Sequence, residues 1–188
     1  MIFDIIFRPT ASFELAVDSK FEMKSALLVI IFSGLFLSTS VFLLTNNLVV
    51  SIFSFIANII NWIILGWLLF FFEFIHIKKK TKSSKGFNRS LFIVSELWKI
   101  NLISYVLVFL GCLILPQLGS GFVFDVVAGI FFVLLIALVI SWIFTSSKML
   151  KVVLKISKWK LLVNWIIFMF LNSLISFLLS NLLAVFLL

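Results

Sequence analysis

Glu73 and His76 stand at i and i+3 in the stretch FFFEFIHIKKK, the spacing with which a helical bundle presents half of a Glu-x-x-His metal site. Such a site needs a second copy, and His76 is the only histidine of the chain. Lys78, Lys79 and Lys80 follow at once, so the expected role of Glu73 is a surface ion pair with them. Glu96 and Lys99 are expected to pair in the same way at a membrane boundary. Asp125 marks the outer mouth of an apolar segment, where an acid is ordinary. No nucleophile–base pair, phosphate-cradling glycine loop or metal cluster can be assembled from the remaining residues, so the expectation is a non-enzymatic protein with no cofactor and no metal. The lone Cys112 has no internal disulfide partner.

The neutral polar residues are better ordered than the charged ones. Ser51, Ser54, Asn58 and Asn61 fall within about 80° of one another on a helix turning 100° per residue. Asn172, Ser173, Ser176 and Ser180 make a comparable face, as do Gly34, Ser38 and Thr45, and Asn101, Ser104, Gly111 and Cys112. Small and hydrogen-bonding residues are what helices use to pack against each other in lipid, and packing is the expected role of these faces. A transporter would use the same faces for a hydrophilic path. It would also need a hydrated cavity or broken helices at the bilayer centre, for which Gly66 and Gly111 are the central glycines of the second and third spans.

The elements that must carry these faces follow from composition. Of 188 residues, 64% are hydrophobic and 12% charged, with 25 phenylalanines and a mean hydropathy of +1.33. A water-soluble core of this size could not bury so much apolar surface. The class is an all-α integral membrane protein, in one domain covering 1–188. A hydrocarbon layer about 30 Å thick takes roughly twenty apolar helical residues, and five segments qualify: about 26–45, 48–72, 97–115, 126–145 and 161–188. Asn46-Asn47 and PQLGSGFVFD (116–125) are the turns. Residues 1–25, with seven charges and Pro9, read as a cytoplasmic amphipathic segment and not as a secretory signal. Pro9 suits the first turn of a helix there.

The net charge of +8 has an explanation other than nucleic acid. Arg8, Lys20 and Lys24 precede the first span. Lys78, Lys79, Lys80, Lys82, Lys85, Arg89 and Lys99 fall around the second connection, and Lys148, Lys151, Lys155, Lys158 and Lys160 in the fourth. These are all fifteen basic residues. Lys and Arg accumulate in cytoplasmic loops, so the expected topology has the N-terminus inside and the C-terminus outside. Lys148, Lys151, Lys155 and Lys158 also follow i, i+3, i+7, i+10, one stripe of a helix. Such a stripe would lie among anionic headgroups, or the segment would continue the fourth helix out of the membrane. A second amphipathic surface helix is expected at GFNRSLFIVSELWKI (86–100), leading into the third span.

The order of these features resembles the Yip-one domain family, small polytopic proteins named for interaction with Ypt/Rab GTPases. The resemblance rests on FRPTASFELAVDSKFEMKSAL (7–27) before the first span, GFNRSLFIVSELWKI before the third, and the basic SSKMLKVVLKISKWK between the fourth and fifth. It is closest to compact prokaryotic-type members, because the long N-terminal region and the Asp-Leu-Tyr-Gly-Pro motif of eukaryotic members are missing. No functional residue is carried over. The resemblance implies a membrane-organising or trafficking scaffold, in the cytoplasmic membrane of a prokaryote. Its basic face, with Lys78, Lys79, Lys80 and Arg89 beside the fourth-connection lysines, would contact anionic lipid and a partner protein or a second copy. The rival expectations are a small-solute transporter or channel component and an obligate subunit of a larger membrane complex.

Overall fold

The computed structural model describes residues 4–18, 23–76 and 84–185, and their side chains except at 84, 85, 180 and 182–185. Lys78, Lys79 and Lys80 therefore lie outside the described residues, as does the side chain of Ser180. The described chain is helical, without strands: α1 (Asp4–Phe7), α2 (Pro9–Asp18), α3 (Met23–Thr45), α4 (Leu48–His76), α5 (Ser84–Ile114), α6 (Phe122–Leu154) and α7 (Lys158–Val185), with a 3-10 turn at Leu115–Leu118. The five helices α3 to α7 are each long and apolar enough to cross a membrane.

The turns have local causes. Asn46 takes a left-handed backbone conformation (φ 51°) and its N–H donates to the Phe42 carbonyl at 2.8 Å, closing α3. Asn47 then caps α4, its Oδ1 accepting from the backbone N–H of Val49 and Val50 at 3.0 and 3.3 Å. Two adjacent asparagines thus make an antiparallel hairpin with no loop to spare. At the other end of the bundle Lys155 is left-handed (φ 50°) and its N–H donates to the Lys151 carbonyl, ending α6. The next helix begins at Lys158. The expected lysine stripe is therefore not one helical surface. Lys148 and Lys151 belong to the end of α6, Lys155 is its cap, and Lys158 opens α7.

The segment 86–100 also differs from expectation. It is not a separate surface helix but the first half of α5, continuous with the third span. Nor is it amphipathic in its surroundings: Ser90, Leu91, Phe92, Ile93, Val94, Ser95, Leu97, Trp98 and Ile100 are all buried. Consecutive buried positions on a helix require neighbours on every side. Here α1, α2, α3, α4 and α6 all pack against α5. The N-terminal segment supplies part of that cover. Helix α2 starts at Pro9 and buries Phe13 and Ala16, and α1 buries Ile5. The largest fully buried side chains, among them Trp98, Phe13, Phe168, Leu65, Ile93, Met149 and Leu150, all come from the lysine-bearing half of the bundle. In the other half α6 stands largely free, with no residue of its most apolar window buried.

Candidate functional site

At the lysine-bearing end Glu73 is not at the surface. It is only 3% exposed, accepts a hydrogen bond from Ser90 Oγ at Oε2 (3.1 Å), and places Oε1 3.6 Å from the guanidinium of Arg89. Among the described residues its ion-pair partner is Arg89 on α5, and its burial corrects the surface position expected for it; the expected partners Lys78, Lys79 and Lys80 lie outside the described residues. The reason is that α4 runs on to His76, so Glu73 is still inside the α4–α5 contact when the apolar run ends. His76 turns elsewhere: its Nε2 lies 3.3 Å from Asn164 Nδ2 on α7, and its Nδ1 3.1 Å from the Phe72 carbonyl. The two side chains do not converge, and no group of three or more metal-ligating side chains occurs among the described residues. Lys99 pairs with Glu96 at 2.6 Å, within α5.

Lys148, Lys151, Lys155 and Lys158 are all exposed. Lys151 and Lys155, however, line a groove of about 460 Å³ together with Glu14 and Asp18 of α2. Half of the expected cationic surface thus has carboxylates for neighbours. A lysine near an anionic leaflet contributes ~1 kcal/mol, so the four would give ~4 kcal/mol if independent. Changing all four to glutamine is expected to weaken binding of a fluorescent phosphatidylglycerol probe by only ~2 kcal/mol, carried by Lys148 and Lys158. The loss should shrink with added salt. A loss at the full value would mean that Glu14 and Asp18 do not offset their neighbours.

The polar faces of the spans meet in the bundle centre. Asn58 is buried and bonded in three directions: Nδ2 donates to the Ile30 carbonyl (3.2 Å) and to Ser33 Oγ (3.1 Å) on α3, and Oδ1 accepts from Trp98 Nε1 (3.1 Å) on α5. One side chain of α4 thus ties three helices together. Ser51 exchanges hydrogen bonds with Ser38, its Oγ donating to the Ser38 carbonyl at 2.7 Å. Ser54 is buried and bonds its own helix at the Val50 carbonyl. Gly34 sits where a Cβ would stand 2.8 Å from the Phe55 ring. Helix α7 joins the bundle less closely. Ser173 is exposed and does not share the inner face, whereas Asn172 and Ser176 turn inward.

Between α5 and α7 the backbones make no close approach. The space is a cleft of about 250 Å³ walled by α4, α5, α6 and α7, with Asn61, Asn101, Tyr105, Trp142, Asn172 and Ser176 among its lining. Each of these lies near the middle of its own helix. A neighbouring void of about 220 Å³ shares Asn61, Tyr105 and Ser176 and reaches Ser54 and Asn58. Sequence reasoning had the asparagines and serines of α4, α5 and α7. It missed Trp98, Trp142 and Tyr105, because an aromatic residue in an apolar span carries no signal that its polar atom faces inward.

No protein-family model, curated protein or solved structure matches this chain.

Proposed function

We propose that this chain is a non-enzymatic, Yip-like membrane-organising scaffold whose lysine-bearing end faces the cytoplasm and receives anionic lipid and a protein partner. The observation that carries this reading is where the packing is spent. The N-terminal helices α1 and α2 fold onto α5 and α6, and the fully buried large side chains gather beneath them. A polytopic protein needs only short loops at a membrane surface. A solid cap of this kind gives a second molecule a fixed surface to recognise, with Lys148, Lys158 and Lys160 exposed at its edge. The segregation of all fifteen basic residues to this side supports the orientation.

Proximity labelling in cells tests both parts. A biotin ligase inserted after Ser157 is expected to label a small, reproducible set of cytoplasmic or membrane proteins. The same ligase fused after Leu188 is expected to label none of them. Labelling of cytoplasmic proteins from Leu188 would reverse the orientation. A Ser157 profile no different from that of an unrelated five-span protein would remove the scaffold reading.

A further inference from the structure

Three polar atoms in the central cleft are buried and have no hydrogen-bond partner among the described residues: Asn61 Oδ1, Asn172 Oδ1 and Trp142 Nε1. They come from α4, α7 and α6 and line one space. Among the described residues the one other such atom is Glu73 Oε1, which has the Arg89 guanidinium 3.6 Å away. The indole N–H of Trp62 donates to the Leu91 carbonyl, that of Trp98 to Asn58, and that of Trp165 to Ser146 Oγ, each at 3.1 Å. Asn58, one turn from Asn61, has its amide satisfied at both ends. An unpaired buried donor or acceptor carries its full desolvation penalty. Two acceptors and one donor left open around one space are better explained by an occupant than by three separate packing faults.

The lining sets the occupant's chemistry. No Asp, Glu, Lys, Arg or His lines the cleft, so a formal charge would enter the middle of the membrane without a counter-charge. Two carbonyl oxygens call for N–H or O–H groups, and the indole N–H calls for an oxygen acceptor. A volume of about 250 Å³ admits only a small molecule. We propose that this cleft is a binding site for a small uncharged solute carrying both donor and acceptor groups, such as a carboxamide or a polyol. The lining lies near the middle of its helices, the depth at which secondary transporters hold their substrates. This is a function beyond scaffolding and does not depend on that reading.

The test uses the full-length protein in nanodiscs and saturation-transfer NMR with acetamide and glycerol, with acetate and methylammonium as charged comparisons. The neutral probes are expected to receive saturation from the wild type. In Asn61→Leu/Asn172→Leu the signal should fall about fivefold or more, the loss expected when a hydrogen bond is removed. Trp142→Phe keeps a ring in place, removes the N–H and should lower the acetamide signal. Ser173→Leu, on the exposed side of α7, should leave it unchanged. Thermal melting separates binding from packing: Asn58→Leu should lower the Tm, whereas Asn61→Leu/Asn172→Leu and Trp142→Phe should not. The proposal is overturned if wild type and variants give equal signals, if the charged probes match the neutral ones, or if the cleft variants melt as early as Asn58→Leu.

Discussion

Arg89→Leu is expected to destabilise the protein by ~2–3 kcal/mol, read as a loss in the unfolding free energy in mixed micelles. The carboxylate of Glu73 is 3% exposed, and Arg89 is the cation within reach of it among the described residues. Removing the guanidinium leaves a buried charge held by Ser90 alone. Breaking a buried pair from one side costs about 3–5 kcal/mol when both partners are sequestered. The guanidinium here is 28% exposed and stands 3.6 Å away, which places the expected loss below that range. The double change Glu73→Leu/Arg89→Leu should recover most of it, because a buried ion pair replaced by apolar side chains is often neutral. A double variant no better than Arg89→Leu would show that the guanidinium acts through packing of its stem and not through its charge.

That pair also marks where the sequence is legible and where it is not. The five spans are readable because a helix must cover a fixed apolar thickness, and nothing else in 188 residues produces five such runs. The Asn46-Asn47 turn is readable because asparagine both tolerates a left-handed backbone and caps a helix. Residues 86–100 mislead for a physical reason. Arg89, Glu96 and Lys99 recur as they would on a solvated helix face, yet Arg89 is drawn to Glu73 and Lys99 to Glu96. The faces that look solvent-exposed are covered by α1 and α2, which lie some eighty residues earlier in the chain. Lys155 misleads in the opposite sense: its i, i+3, i+7 spacing continues a helix, and no Gly or Pro announces the stop. The candidate cleft was half visible. Periodicity orders Asn58 and Asn61 on one face, but only tertiary structure decides that Asn58 is bonded three ways while Asn61 is left open.

Gly66→Ala is expected to destabilise the protein by up to ~2 kcal/mol net, because forcing an extra methyl into a filled interior costs ~1–3 kcal/mol. A Cβ at Gly66 would stand 2.4 Å from Leu91 Cδ2, 3.1 Å from its Cγ and 3.3 Å from its Cα. The terminal methyl can rotate away, but the Cα cannot, so α4 and α5 must move apart. Separation also strains the hydrogen bond from Trp62 Nε1 to the Leu91 carbonyl, now 3.1 Å, one turn along α4. Helix propensity works the other way, since Ala in a helix interior is favoured over Gly by about 0.8–1.0 kcal/mol. Gly111→Ala isolates that term, because its Cβ would meet Phe131 only at an ordinary 3.5 Å. Gly111→Ala should therefore be slightly stabilising, and the two glycines should move the unfolding midpoint in opposite directions. Both helices run unbroken through these positions, so neither residue serves as the hinge of a broken helix. Equal responses from Gly66→Ala and Gly111→Ala would mean that the α4–α5 contact is not closed around Leu91.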